Sequence, residues 1–356
     1  MVVNFPRPLR PGMRIGVTAA SSGVPEDLRS RLDYAIHVVQ ERGYEVVLGE
    51  CLGISDRATG HISAPVSERA AELMAMLTDP TIGAVVPPWG GETAIDVLPL
   101  LDWDALAAAE QTWVVGYSDI ATLLAPLTLR AGMATIHGSN FMDTPYRPSD
   151  GLLSWLDIAE LPVGARFSQV PPGRYRRHAH VDFATQPDAE EVVLDAEGGW
   201  IRLDDNDNDN VNGNAGRDVH VRGRLIGGCI ETVSPLVGSP LADVPRFAAE
   251  HATEGTIVYV EAAEANAFSI CRALHGMRLA GFFAGANAVL VGRTSAPDDS
   301  TMTQHEAVLD ALGSLGIPII ADVDCGHVAP FMPLVNGALA EVTLRDCAAA
   351  ITQALA

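Results

Sequence analysis

The chain has 356 residues, 48% of them hydrophobic and 19% charged, enough apolar material for two domains with cores of their own and too much for a single small one. Its formal net charge of −22 excludes a broad basic face for DNA or RNA, so no nucleic acid polymer is expected as a partner. Five cysteines (Cys51, Cys229, Cys271, Cys325 and Cys347) are odd in number and lack CxxC spacing, which indicates neither a disulfide framework nor a structural zinc site.

The amino terminus, Met-Val-Val-Asn-Phe-Pro-Arg-Pro-Leu-Arg-Pro-Gly, lacks an apolar core of signal-peptide length. No segment approaches the roughly 20 apolar residues of a membrane span, so a cytoplasmic protein that does not engage a membrane is expected. From Arg14 to about Ile136, short apolar runs alternate with amphipathic stretches. Strands are expected at 14–19, 44–48, 82–86, 113–115 and 134–136, and helices at 26–42, 67–77, after Gly91 and after Ser118. This is the βαβ rhythm of a parallel, doubly wound sheet, in which ligands bind beyond the carboxyl ends of the strands. Gly90-Gly91 and Ser118 both fall at such ends.

Residues from about Pro145 to Val192 are rich in Pro, Gly and Arg with little periodicity, as expected of a linker. The run Asp204–Asn214 superficially resembles a calcium loop, but no register offers both the glycine at position six and the acid at position twelve; a solvated loop is expected, and no metal. Beyond Val219 a second α/β unit begins. Its strands are expected at 221–225, 256–260, 281–291, 319–321 and 341–344, with helices at 265–277 and 303–312. The organisation read from these patterns is a nucleophile domain over 1–145, a linker and substrate-facing loop over 146–215, and a mixed domain over 216–356.

The segment Trp113-Val-Val-Gly-Tyr-Ser118-Asp119-Ile carries the sharpest chemical signal, because an apolar strand runs through a glycine turn into a helix. A serine there meets unpaired backbone N–H groups and the positive end of the helix dipole, where an acyl-transfer nucleophile gains most. The turn is similar to a nucleophile elbow, although Ile120 stands where the second glycine of that motif belongs. Read alone, Ser118 serves equally as a helix N-cap followed by the first-turn acid Asp119. A serine nucleophile needs a base and a group to orient it. His327, just after Gly326 at the outflow of an apolar strand, is the best-placed base. His37 and His275 lie in expected helices, and His178, His180 and His220 in polar surroundings. Glu261 ends the apolar run Thr256–Val260, where a carboxylate projects toward a cleft or is simply solvated.

Taken together, six blocks resemble the LD-carboxypeptidase family, which includes the microcin C immunity peptidases. They are Gly90-Gly91 with Leu98-Pro-Leu-Leu-Asp102; Val115-Gly-Tyr-Ser118-Asp119-Ile; His137-Gly138; Leu225-Ile-Gly-Gly228; Val258-Tyr-Val-Glu261; and Gly326-His327. The resemblance runs from about Pro11 to Thr343. It implies a flavodoxin-like amino-terminal domain joined to a carboxy-terminal domain of mixed strands and helices. It also implies a metal-free, cofactor-free Ser-Glu-His triad of Ser118, Glu261 and His327, with the nucleophile in the first domain and its partners in the second. The expected oxyanion donors are the backbone N–H groups of Asp119 and Gly91. A homodimer is a family expectation.

Two departures bear on substrate. The family's usual arginine six residues after Gly90 is Asp96 here, and its asparagine after the later Gly-Gly is Cys229. Both the missing arginine and the long segment before Leu225 resemble the immunity branch, in which a tryptophan from that segment stacks on a nucleobase. Trp200 is the candidate here; a core tryptophan is the alternative. With Gly90 it completes the expected substrate-binding set. The expected function is a serine carboxypeptidase or amidase cleaving an amide near the carboxyl end of a small peptide or peptidyl-nucleotide, as in antibiotic resistance by microcin immunity. The competing expectations are a muramoyltetrapeptide carboxypeptidase of peptidoglycan recycling and a non-catalytic peptide-binding protein. Neither a GxGxxG nor a P-loop lysine motif supports a nucleotide cofactor.

Overall fold

A computed structural model describes residues 3–53, 63–178, 181–204, 218–345 and 348–356. Five short strands come first: β1 (Arg14–Val17), β2 (Glu45–Leu48), β3 (Ile82–Val85), β4 (Trp113–Gly116) and β5 (Thr135–His137). They are joined by α1 (Arg29–Glu41), α2 (Val66–Thr78), α3 (Trp103–Ala108) and α4 (Ala121–Ala131). Every residue of β3 and β4 is buried, as expected of parallel strands covered on both faces. The five strands pair in parallel in the order β2-β1-β3-β4-β5, the flavodoxin-like order, which places a ligand crevice at the β1/β3 switch point. The expected helix after Gly91 is replaced by a 3-10 stretch, Ala94–Leu100, that contains Pro99. Proline there removes the N–H that an α-helix would use.

After α5 (Trp155–Ala159) come β6 (Arg166–Gln169), the pair β7 (Arg174–Tyr175) and β8 (Ala196–Glu197), and β9 (Ile201–Arg202). The second unit then follows. It comprises β10 (Val219–Cys229), α6 (Ile230–Val233), α7 (Val244–His251), β11 (Thr256–Glu261), α8 (Ala267–Leu279), β12 (Ala286–Gly292), α9 (Gln304–Leu312) and β13 (Ile319–Val323). It ends with β14 (Leu334–Asn336), β15 (Leu339–Arg345) and β16 (Ala348–Ala354). Its eight-stranded sheet has the order β6-β16-β15-β10-β11-β12-β13-β9, with β10 to β13 parallel and the flanks antiparallel.

Three features depart from the sequence reading. The stretch read as a linker holds α5, closed by a Ser154–Asp157 capping box, and supplies both edge strands of the second sheet, β6 and β9. The strand expected from Gly281 starts at Ala286, because Gly281 and Gly285 adopt φ of +82° and +73°, backbone geometry that breaks a strand. Finally β14, from the carboxy-terminal half, pairs antiparallel with β5 and closes the first sheet. Within 205–217 lies all of the Asp/Asn-rich run but Asp204, so that reading falls outside the described residues.

The two sheets share a core. Helix α4 is apolar almost all round, with nine of its residues buried, the signature of a helix covered on every side. Its Leu123, Leu124 and Leu127 belong to one apolar cluster with Ile226, Ile230 and Val233 of the second unit. The helix that begins at the serine turn is therefore clamped between both halves.

Candidate active site

Ser118 directly follows β4 and its extended neighbour Tyr117, and it adopts φ of +62°. A positive φ is uncommon for a residue with a Cβ and costs on the order of 1–3 kcal/mol, so surrounding contacts must hold it. They do so from three sides. The Asn140 side-chain oxygen accepts the Tyr117 N–H at 3.2 Å. The buried Asp119 carboxylate accepts from the Ser21 hydroxyl at 2.6 Å, the Ala94 N–H at 2.8 Å and the Thr122 hydroxyl at 3.2 Å. Loops after β1, β3 and β4 are thereby tied together below the serine. Burial pushes the Asp119 carboxyl pKa up, against the pull of these donors.

The Gly90-Gly91 turn approaches this knot closely. A Cβ on Gly90 would lie 2.8 Å from the Ser118 Cβ and 3.0 Å from the Asp119 nitrogen. Gly91, at φ of +139°, has the Ser21 and Ser22 hydroxyls where a side chain would sit. Among the described residues, neither the Asp119 nor the Gly91 N–H has a hydrogen-bond partner. Asp96, which stands in place of the family's usual arginine, accepts from Arg69 at 2.8 Å. Arg69 is fully buried and gives its remaining donors to the Ala64, Ala20 and Thr93 carbonyls. That pair fastens the wall of the cleft.

The other half of the site comes from the second sheet. Glu261 ends β11 and is fully buried; His327 follows β13. The His327 Nδ1 and Glu261 Oε2 are 2.7 Å apart. Two glycines make room for the carboxylate: a Cβ on Gly326 would stand 2.5 Å from Glu261 Oε2, and one on Gly292 would stand 2.6 Å from the Glu261 Cβ. Burial works to lower the His327 pKa, but the Glu261 charge and hydrogen bond outweigh it and raise the pKa above the ordinary value. For Glu261, burial works upward and the charge and hydrogen bond of His327 carry the pKa below the usual range. Each group thus favours the charged form of the other.

Ser118, His327, Gly90, Gly91, Tyr117 and Asn140 line one cavity of about 390 Å³, together with Trp89 and residues of the loop after β1. Its walls are the carboxyl ends of β1, β3, β4 and β5, so it straddles the switch point. Trp89 donates its ring N–H to the Gly23 carbonyl at 3.1 Å. Its place beside the Gly-Gly pair was the available sequence signal, as was the position of Tyr117 inside the serine turn.

Two further residues bear on the site. Trp200 does not line the described cavities: it is 4% exposed, packed with Leu225, Tyr259, Ile320 and Met332, and donates its ring N–H to Asp324 at 3.0 Å. Its packing role anchors the loop that carries His327. Burial pushes the Asp324 carboxyl up to about 6. His137, which the sequence reading quoted only within a block, lies beside Glu261, its Nε2 3.9 Å from Oε1. Neither ring nitrogen of His137 nor Glu261 Oε1 has a hydrogen-bond partner. Burial pushes its pKa down to about 4, leaving a neutral ring against the carboxylate. Cys229, in the asparagine's place, donates its thiol to Glu231 at 3.2 Å. Its sulfur and donor atoms of Glu261 and His327 lie within 4.8 Å of one another. Among the described residues, no helix is long and apolar enough to cross a membrane.

Residues 15–138 match the LD-carboxypeptidase N-terminal domain and residues 222–342 the LD-carboxypeptidase C-terminal domain. The Microcin C7 self-immunity protein MccF of Escherichia coli is 24% identical over 337 residues, 93% of this chain and 90% of that protein. A murein tetrapeptide carboxypeptidase of Pseudomonas aeruginosa is 30% identical over 125 residues, 35% of this chain and 38% of its own. Among solved structures, MccF in complex with aspartyl sulfamoyl adenosine superposes with a TM-score of 0.75 at 20% identity, covering 98% of both chains. The muramoyltetrapeptide carboxypeptidase from Oxalobacter formigenes gives 0.65 at 20% identity, covering 96% of this chain and 98% of that one. The matched domains account for well over half of the sequence, in order and without overlap, and the chain belongs to the LD-carboxypeptidase family of serine peptidases.

Proposed function

We propose that the protein is a Ser-Glu-His hydrolase that cleaves an amide near the carboxyl end of a small peptide or peptidyl-nucleotide. The observation that carries this reading is the Glu261–His327 pair, bonded at 2.7 Å and opening onto the cavity that Ser118 lines. Glu261 holds the imidazole with Nδ1 protonated, so that Nε2 takes the Ser118 proton as the hydroxyl attacks the carbonyl carbon. The negative charge that develops on the carbonyl oxygen falls to the free N–H groups of Asp119 and Gly91, and one such donor is worth about 10²–10³ in rate. As the C–N bond breaks, His327 returns the proton to the departing amine. Water, deprotonated by the same ring, then releases the acyl group and restores Ser118.

MccF is a self-immunity protein whose structures include one with aspartyl sulfamoyl adenosine, and its likeness over nearly the whole chain favours an aminoacyl-nucleotide substrate. The second reading, a muramoyltetrapeptide carboxypeptidase, has support from the Pseudomonas and Oxalobacter relatives. A cytoplasmic homodimer completes the proposal. Incubation with a muropeptide tetrapeptide and with an aminoacyl-adenylate amide, followed by mass spectrometry of products, decides between substrates. Ser118→Ala and His327→Ala each remove nearly all turnover, and the double variant is scarcely worse, because triad members act as one unit. Multiplicative losses contradict the triad, and failure of Ser118 to react with a fluorophosphonate leaves a binding protein.

A further inference from the structure

Beside the catalytic cavity, and sharing Tyr117 with it, lies a second cavity of about 280 Å³. Its wall is aromatic, with Tyr117, Tyr146, Phe183 and Phe331, and it also holds one cation, Arg176, and two carboxylates, Asp143 and Asp182, the latter accepting from the Ala184 N–H and the Thr185 hydroxyl. The two cavities form one path: the Tyr117 ring is 5.0 Å from the His327 ring on one side and 6.0 Å from Phe331 on the other.

Arg176 is half-buried on this path. Its backbone N–H is fixed to the Ala329 carbonyl at 2.9 Å, and its guanidinium lies 5.8 Å above the Phe331 ring. Among the described residues it forms no ion pair within 4.0 Å and no side-chain hydrogen bond, so its donors are unspent. Neighbouring arginines differ. Arg31, behind the same wall, is buried; it gives its Nε and Nη1 donors to the Met142, Pro187 and Ala189 carbonyls and lays its remaining Nη2 side against the Tyr146 and Phe183 rings, and Arg69 is tied down as described above. Among the described residues, no lysine or arginine lines the cavity that holds Ser118 and His327. Asp143 faces Arg176 without pairing to it and instead accepts from the Tyr117 hydroxyl at 3.3 Å. In a chain of net charge −22, an unpaired planar cation held over an aromatic ring is built to meet an anion, and a guanidinium matches carboxylate and phosphate in two-pronged geometry.

We propose that Arg176 is the anion-recognising residue of this site, and that the substrate extends past Tyr117 to present a carboxylate or phosphate to it. This rests on the hydrolase reading and adds the charge of the group recognised. It also makes Arg176 a specificity residue outside the Ser-Glu-His unit.

The test uses the full-length Ser118→Ala protein and two matched ligand pairs: the tetrapeptide L-Ala-D-Glu-L-Lys-D-Ala with a free or an amidated carboxyl end, and adenosine monophosphate against adenosine. Calorimetry should show the charged member of one pair bound about 10–100-fold more tightly, the range of a charge-assisted bond, and the pair that responds identifies carboxylate or phosphate. Adding Arg176→Met should collapse that ratio to within about threefold, and Arg176→Lys should restore part of it, with melting temperatures confirming that each variant is folded. Equal binding of the charged and neutral members, or a preference that survives Arg176→Met, overturns the inference. Turnover by the wild-type protein is scored separately: hydrolysis without charge preference refutes the role of Arg176 alone, and no hydrolysis of any substrate refutes the parent reading.

Discussion

Gly326→Ala tests how closely the position of Glu261 governs turnover. Gly326 has φ of +93°, and its Cβ would stand 2.5 Å from Glu261 Oε2 and 2.6 Å from the carboxyl carbon. Since ordinary contact begins at 3.4 Å, the carboxylate or the His327 loop must yield by about 0.9 Å. Displacing a catalytic group by that distance costs about 10²-fold. The positive φ adds about 1–2 kcal/mol of strain and the overpacking about 1–3 kcal/mol, so stability should fall by about 2–5 kcal/mol and Tm by roughly 2 °C for each kcal/mol. Gly164→Ala is the control: Gly164 is exposed, has φ of +87° and has nothing within 4 Å of a Cβ, so it carries the strain without the collision. The assays are kcat/KM on the better substrate and thermal unfolding of both variants. If Gly326→Ala retains kcat/KM within threefold of wild type and melts with Gly164→Ala, catalysis does not depend on the Glu261–His327 contact and the reasoning fails.

The pH profile follows from the same pair. The proposed base, His327, can take a proton only when neutral, and because Glu261 raises its pKa, the acid limb of kcat/KM should bend above the ordinary histidine value of about 6.5. Glu261→Gln removes the charge favouring imidazolium, so the bend should move to lower pH while the rate falls; a bend that does not move separates Glu261 from His327. Trp200→Ala should cost about 3–5 kcal/mol of stability as a truncated core side chain and impair nucleotide and peptide substrates alike; a loss confined to nucleotide substrates would return it to base stacking. Exhaustive chelation should leave the rate unchanged. Added zinc should inhibit by capturing the Cys229, Glu261 and His327 donors, which lie within 4.8 Å of one another, and Cys229→Ala should relieve that inhibition; metal-restored activity would contradict the serine mechanism.

What the sequence reveals is mostly local. The turn at Ser118 is legible because an apolar strand, Gly116 and a helix start are contiguous, and β3 and β4 are legible because strands buried on both faces are uninterrupted apolar runs. The pairing of Glu261 with His327 is not local. Nothing in the spacing of residues 66 apart brings them together, and the assignment came from the resemblance. For Trp200, after Gly198-Gly199, the sequence leaves base stacking and core packing both open, because the apolar residues it packs with and its hydrogen-bond partner Asp324 lie far along the chain. Arg176 is one of several arginines in a Pro- and Gly-rich stretch, and only the fold separates it from its neighbours by giving it a cavity and no partner. Strand β16, Ala-Ala-Ala-Ile-Thr-Gln-Ala, has the composition of a helix; pairing with β15 and β6 decides otherwise, as tertiary context does for β propensity in general.

The closure of the first sheet by β14 bears on how this chain is made. Strand β5 ends at His137 and its partner β14 ends at Asn336, so about 200 residues are synthesised between the moment β5 is complete and the moment its outer edge can be covered. At about 5–20 residues per second, the ribosome leaves that edge open for roughly 10–40 s. An unpaired strand is a template for another chain, and this one abuts the turn that carries Ser118. A nascent amino-terminal half is therefore exposed to association with its neighbours on the polysome, and a fragment ending before residue 334 keeps that exposure permanently.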